Sequence, residues 1–392
     1  MKVCGVVAEY NPFHNGHKYL NDKVRENCFE GIVAVMSGNF VQRGEPAVSE
    51  KHYRARQALL NGVDLVVELP LPFAVSSAEK FALGAVTILD SLGTVDSLCF
   101  GSECGDIEIL KRIAEVNYEG RINEYLTEGI TYAKAFEKLV ENELGSDYSC
   151  VLKEPNNILA IEYIKAVYRL KSEIMPLTVK RCGASHDSDS PEGHFCSASF
   201  IRDNIESDII SSYMPDSSYE IIRRGIDDGF SPVSLENNER QVLSFLRRCD
   251  KEYFASLPDV SEGIENRLYS AVREACSLEE LYSLVKTKRY TMARVRRLVL
   301  NAFLGVTSDY TEALPPYIRV LGFNEKGREI LRKVKDKAKL PICTLASDFS
   351  CADVNCKKFY SLECKSTDLY CTLTPEIMPC GMEQTENAVI IK

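Results

Sequence analysis

No apolar run in this chain reaches the roughly 18 residues that a membrane-spanning helix needs. The N-terminus lacks a basic region followed by a long apolar segment, so it does not read as a secretory signal. Positive charge is not in excess: 47 Lys and Arg stand against 57 Asp and Glu, a net charge of −10. That balance argues against indiscriminate nucleic-acid binding and leaves room for a local basic patch. A dense disulfide framework is also missing. The cysteines number 15, an odd count scattered over 392 residues, and reduced thiols fit this better than a secreted scaffold. There is no internal repeat and no low-complexity segment. The expectation is a cytoplasmic protein without a membrane segment, long enough for two or three cores.

What is present is strand–helix alternation. VCGVVAEY (3–10), GIVAVMSG (31–38), VDLVVELP (63–70) and VDSLCFGS (95–102) read as strands, apolar almost throughout, as strands buried on both faces should be. Between them KYLNDKVREN, SEKHYRARQALLNG and SAEKFALGAVTILDSLG read as helices, with Ser49 as N-cap and Gly62 as stop of the second. This repetition predicts a doubly wound parallel α/β sheet of Rossmann type. Residues 106 to 172 read as mostly helical, and MPLTVKR (175–181) as a fifth strand. From about residue 208 long helical stretches replace the alternation. The predicted domains are therefore 1–207 and a mostly helical 208–392.

Ligands of such sheets bind at the carboxyl ends of the strands. NPFHNGH, MSGNF, ELPLPF and FGSECG all fall there. Histidine is scarce, five in all, yet His14 and His17 bracket Asn15-Gly16. Pro12 suits a helix start, and spacing of three puts both imidazoles on one side of the first turn. The free N–H groups of that turn attract anions, and an imidazole can donate to phosphate oxygens. Such parts would hold a polyphosphate and stabilise charge during displacement at the α-phosphorus. The competing reading is a polar turn whose histidines only cap the helix. Zinc fits less well, because neither HxxxH spacing nor a third ligand is nearby.

SASFIRD (197–203) is a second phosphate cradle. Ser197 or Ser199 can cap the helix, and Arg202 stands at its start. MSGNFVQRGEPAV offers Ser37, Asn39, Gln42 and Arg43 after the second strand, with Arg43 a candidate for a small anion. Lys51, His52, Arg54 and Arg56 follow, and a solvated helix face is the expectation for them. KTKRYTMARVRR (286–297) holds six cations and no acid. Lys286, Lys288, Arg289, Arg294, Arg296 and Arg297 are candidates for RNA phosphates, on a helix half-buried through Val295, Leu298 and Val299. Tyr290 is either a stacking platform for a base or a core tyrosine. A second basic run, KGREILRKVKDKAK, lies at 326–339. Six cysteines fall between 343 and 380, in the spacing C-x4-C-x7-C-x6-C from residue 351 onward, which matches no standard zinc pattern.

VxxxxNPxHxGH near the N-terminus, with SxSxIR about 180 residues later, resembles the HxGH nucleotidyltransferases. GVVAEYNPFHNGH, VMSGNFVQRGEPAV, GVDLVVELP, FGSE, PNNILAIEYIKA, IENRLY and KTKRYTMARVRR occur in the order seen in bacterial tRNA(Met) cytidine acetate ligases. The resemblance covers nearly all of residues 1–306. It implies an HxGH nucleotidyltransferase domain followed by a helical tRNA-binding region. It implies ATP as co-substrate, with Mg2+ admissible, and acetate and elongator tRNA(Met) as partners. The implied reaction forms N4-acetylcytidine at the wobble position through acetyl-adenylate, releasing AMP and pyrophosphate. The resemblance makes Val7, Ala8, Glu9, Tyr10, Asn11, Pro12, Phe13, His14, Asn15, Gly16, His17, Lys18, Tyr19 and Leu20 the ATP loop, with His14 and His17 catalytic. It adds Gly101, Asn156 and Arg181 as nucleotide contacts, Asn157 being a rival for Asn156. No role follows for Cys182, His186, His194 and Cys196. A small-molecule adenylyltransferase of cofactor biosynthesis would share the HxGH chemistry but has no use for the basic helical half. A nonenzymatic RNA-binding protein has no use for both cradles. The oligomeric state stays open, a homodimer included.

Overall fold

The computed structural model describes residues 1–118, 120–122, 125, 130, 132–182, 193–350 and 352–392. The expected strands form as β1 (Val3–Ala8), β2 (Gly31–Ser37), β5 (Leu65–Leu69), β6 (Ser97–Ser102) and β7 (Met175–Lys180), and between β2 and β5 the chain adds a small antiparallel hairpin, β3 (Phe40–Val41) and β4 (Glu45–Pro46), that the sequence reading did not contain. Three more come late in the chain: β8 (Ile318–Phe323), β9 (Ile342–Cys343) and β10 (Val389–Ile390). The main sheet runs β10-β8-β5-β2-β1-β6-β7, with β9 beside β8.

β5, β2, β1, β6 and β7 are parallel, as helical crossovers require. Ala8 pairs with Met36, and Gly101 and Ser102 pair with Val179 and Lys180. The carboxyl ends of these strands are therefore level, and the loops after them open to the same side. Each strand feeds two cores. Val3, Val33 and Val35 join Phe81, Leu89 and Ile164 on one face. Cys4, Val6, Ile32 and Ala34 meet Val24 of helix α1 (Asn15–Glu26) and Ala55 and Ala58 of helix α2 (Lys51–Leu60) on the other. Burial on both faces is the reason these strands are apolar throughout.

The chain departs from the expected helical half after residue 208. Helices Asp216–Asp227, Glu239–Arg248, Ile264–Glu274, Leu278–Val285 and Met292–Leu304 do follow, most of them around a core of their own. But β8 then returns to the sheet and pairs antiparallel with β5, and β10 adds parallel to β8. The sheet is mixed, and one edge of it comes from the end of the chain. IRVLGF is a six-residue run broken by Arg319; so short a run carries no period that separates strand from helix. Helix Val354–Cys371 ties the two parts together. Cys356 and Phe359 enter the sheet-side core, while Leu362 and Tyr370 enter the helical one.

Candidate active site

The loop after β1 is fixed before any ligand arrives. Tyr10 takes a left-handed backbone (φ 47°). The Asn11 side-chain oxygen accepts from the Val48 N–H at 2.8 Å. The Phe13 N–H donates to Gln57 Oε1 at 3.2 Å. Tyr10 and Phe13 are buried with ring centroids 4.9 Å apart. Arg54 of α2, fully buried, donates to the carbonyls of Glu9, Ser37, Gly38 and Ser49. One guanidinium thus joins the carboxyl ends of β1 and β2. Its acceptors are all neutral carbonyls, which satisfy a buried donor set without a carboxylate partner.

His14 is the N-cap of α1. Its Nδ1 accepts from the Gly16 N–H at 3.0 Å, and the His17 Nδ1 accepts from the His14 N–H at 3.2 Å. The histidines do cap the helix, in a reciprocal box. The rings stack with centroids 3.9 Å apart. A side chain at Gly16 would press within 3.0 Å of the His14 ring, so glycine here serves the close approach of the imidazole. Burial, with Arg181 and Arg202 nearby, pushes His14 down to about 3; burial and the neighbouring His14 and Arg181 hold His17 well below the usual histidine range. Both rings are neutral near pH 7. Because each Nδ1 accepts, each proton resides on Nε2. No hydrogen bond is made at either Nε2 among the described residues. Capping therefore fixes the tautomer that leaves a phosphate donor.

A cavity of about 260 Å³ opens beside them, lined by Val7, Ala8, Glu9, Tyr10, Asn11, His14, Gly16, His17, Tyr19, Leu20, Gly101, Asn156, Arg181, Ser197, Ser199 and Arg202. Four residues of the expected ATP loop do not line it. Pro12 and Phe13 lie buried beneath the loop. Asn15 Nδ2 donates to the carbonyls of His194 and Ser212, and Lys18 pairs with Asp22 at 3.0 Å on the surface. Both side chains of the loop that face outward have other work.

The remaining walls come from three segments. The stem of Arg181 lies over Gly101, 3.2 Å from where a Cβ would stand. The Asn156 amide donates to Glu103 at 2.5 Å. Asn157 is consumed internally: its oxygen accepts from the Glu103 and Cys104 N–H groups and its amide donates to the Val151 carbonyl. Of the two rivals, Asn156 reaches the cavity and Asn157 holds the wall. Ser197 caps helix Ala198–Asp203, accepting from the Phe200 N–H at 3.0 Å. Ser199 Oγ accepts from Arg202 at 3.0 Å and from Arg43 at 3.1 Å, and Arg202 also donates to the Asn11 carbonyl at 3.1 Å. Two guanidiniums so placed make this end of the cavity attractive to anions. Cys182 and Cys196 also line the cavity; His186 lies outside the described residues.

The basic segment divides. Lys286, Lys288 and Arg289 are exposed. Arg294 donates to the Asp259 carbonyl and to Ser261 Oγ, both at 2.7 Å. Arg296 pairs with Glu45, and Arg297 donates to the Gln42 carbonyl at 3.5 Å. The last two thus face the β3–β4 hairpin. Tyr290 is a core tyrosine, 7% exposed, with its hydroxyl on the Glu262 carbonyl.

The largest departure from the sequence reading is on α2. Lys51 and Arg54 are not solvated; both are buried, His52 is half-buried against Glu50, and only Arg56 is exposed. Lys51 pairs with Glu68 at 2.7 Å and with Glu383, and Arg319 pairs with the same two carboxylates. A signal was available. Lys51, Arg54, Ala55 and Ala58 follow the i, i+3, i+4, i+7 spacing of one helix face, and the alanines on it are core residues. Counting charge alone hid the stripe. Among the described residues no group of three His, Cys, Asp or Glu could hold a metal ion.

Comparison with known proteins agrees with this architecture. The profile of the HIGH nucleotidyl transferase family matches residues 1–385. A tRNA(Met) cytidine acetate ligase of Acetivibrio thermocellus is 40% identical across the whole of both chains. Its counterpart in Thermoanaerobacter sp. is 43% identical over 94% of this chain and 95% of the relative. Among solved structures, Thermotoga maritima TmcAL without ligand superposes with a TM-score of 0.95 at 38% identity, covering all of both chains. The same protein bound with alpha-thio ATP gives 0.92 at 37%, again with full coverage. A mixed sheet carrying a histidine-capped helix at the carboxyl end of its first strand, matched end to end by these relatives, makes this chain a member of the HIGH nucleotidyl transferase family and, within it, of the tRNA(Met) cytidine acetate ligases.

Proposed function

We propose that the chain is an ATP-dependent ligase that acetylates N4 of the wobble cytidine of elongator tRNA(Met), in the cytoplasm. A carboxylate oxygen of acetate attacks the α-phosphorus of ATP, and the bond to the β-phosphate breaks. Acetyl-adenylate forms and pyrophosphate leaves. The cytidine amine then attacks the acyl carbon, AMP departs with the bonding pair, and the amine gives up one proton. The observation that carries this reading is the pair of neutral imidazoles with Nδ1 occupied and Nε2–H available beside an anion-attracting cavity. In the proposed mechanism His14 and His17 donate from Nε2 to phosphate oxygens as charge moves to pyrophosphate. The start of α1, Arg181 and Arg202 with the Ser197 cap hold the polyphosphate. Asn156 and Gly101 border the nucleoside. Arg43 receives the acetate carboxylate. Lys286, Lys288 and Arg289, being exposed, take RNA phosphates. Mg2+, where it takes part, would be held by the phosphates, since no built protein site exists among the described residues.

The test is nucleoside mass spectrometry of elongator tRNA(Met) incubated with the protein, ATP and isotopically labelled acetate. Labelled N4-acetylcytidine at the wobble position, with AMP and pyrophosphate as co-products, is expected. ADP and phosphate as the main products would overturn the α-phosphate mechanism. Adenylylation of a small molecule with no change in tRNA would replace the RNA acceptor.

A further inference from the structure

We infer that Arg296 and Arg297 are positioning residues for acetyl-adenylate formation, acting through the β3–β4 hairpin and not through RNA phosphates. The inference rests on the function proposed above. The hairpin is a short ribbon between the cavity and helix Met292–Leu304. On the cavity side the Gln42 N–H donates to the half-buried Glu9 carboxylate at 2.7 Å. Arg43 reaches Ser199 Oγ at 3.1 Å, the oxygen that Arg202 also uses. Glu9 and Asn11, which flank the left-handed Tyr10, are thus tied to the hairpin or to the arginine beside it.

On the other side the hairpin rests on the backbone of the basic helix. Gly44 has φ +82°, and a Cβ there would stand 2.5 Å from the Arg297 nitrogen and 2.6 Å from the Arg296 carbonyl carbon. The turn needs glycine twice over, for its backbone angle and for this approach. Arg296 pairs with the Glu45 carboxylate. Arg297 donates to the Gln42 carbonyl at 3.5 Å and lies 4.0 Å from Asp259. Its side chain is only 14% exposed, so it presents little to a polyanion. The residue whose N–H binds Glu9 therefore offers its carbonyl to Arg297. A hairpin of two two-residue strands has too few ladder bonds to hold itself. Its orientation comes from these anchors together with the buried Phe40 and Val41, and a misplacement of about 1 Å at a reacting group can cost roughly 100-fold.

The test uses the full chain with Arg296→Gln, Arg297→Gln and Glu45→Gln. Acetylation is measured at saturating tRNA while ATP and acetate are varied, and tRNA binding is measured across a salt series. The expected result is a loss of roughly 10- to 100-fold in kcat/KM for ATP or acetate, with the tRNA salt slope unchanged. Glu45→Gln decides the matter even where an arginine variant folds poorly. Glu45 is an acid and contributes no phosphate contact, yet it should lose turnover by the same factor as Arg296→Gln, and the double variant should be no worse than either. Exchanging the pair, with Glu45→Arg and Arg296→Glu together, should recover part of the activity. Wild-type kcat/KM in Glu45→Gln and Arg297→Gln, or a flattened salt slope in the arginine variants, would overturn the inference. A wild-type chain that acetylates no tRNA would instead remove the underlying function.

Discussion

Two polar centres sit at the carboxyl ends of β1 and β5, with β2 between them, and use their groups in opposite ways. The histidine centre after β1 keeps capacity in reserve. Each imidazole spends one nitrogen on the backbone and leaves the other beside a cavity. The centre around β5 spends its charges on one another. Lys51, Glu68, Arg319 and Glu383 pair among themselves, Thr367 donates to Glu383 at 2.6 Å, and none of the four charged side chains is more than 8% exposed. Both centres are buried and both join distant parts of the chain. The difference is whether a donor remains once the protein has satisfied itself. A remaining donor beside a cavity marks a ligand site, whereas a closed network marks a joint, here the one that ties the end of the chain to α2 and β5.

Breaking the joint should produce the largest effect. Lys51→Met leaves Glu68 and Glu383 facing each other without their ammonium. Removing one partner of such a network costs about 3–5 kcal/mol. Chemical unfolding should report that loss, and a variant within about 1 kcal/mol of wild type would mean that Arg319 alone balances both acids. His17→Ala should do the reverse. Turnover should fall by roughly 100-fold or more, with a smaller change in ATP affinity and little change in melting temperature. Near-normal turnover would reduce His17 to a helix cap.

The centres should also respond to pH with opposite sign. His14 lies at about 3 against an ordinary 6.5. Its folded state resists protonation, so its contribution is complete above 6.5 and is lost as pH falls toward about 3. Glu363, beside the joint, is pushed up from 4.5 to about 8 by burial and by Glu68, with Lys51 opposing. Its folded state holds the proton, so that contribution is complete below 4.5 and is lost as pH rises through about 8. Glu363→Gln keeps an oxygen for the Leu71 N–H and removes the titration. In calorimetry its melting temperature relative to wild type should rise between about pH 5.5 and about pH 8.5. A constant difference would show that Glu363 does not titrate there.

The smallest effect concerns the exposed cations. Neutralising Lys286, Lys288 and Arg289 should flatten the salt dependence of tRNA binding by about 0.7 to 0.9 per lost phosphate contact. Stability should not change, since none of the three is buried. An unchanged slope in a folded triple variant would move the RNA surface away from this loop.

The sequence alone determined the parallel strands and the histidine pair. These follow from short-range patterns: continuous apolar runs, a helix start and residues three apart. It also singled out Ser197, Ser199 and Arg202 as a capped helix start carrying a guanidinium, and Arg181 through a family pattern. Only the tertiary structure decided between Asn156 and Asn157, because adjacent residues at a helix start differ only in which way each side chain turns. Only the fold decided that β8 closes the sheet and that Arg319 and Glu383 meet Lys51 and Glu68 across some three hundred residues of chain. The same holds for Arg296 and Arg297, which composition counts with the exposed cations Lys286, Lys288 and Arg289 and packing turns toward the hairpin. A charged residue reads as solvated until its partner is known. Where that partner is remote in sequence, no local pattern carries it.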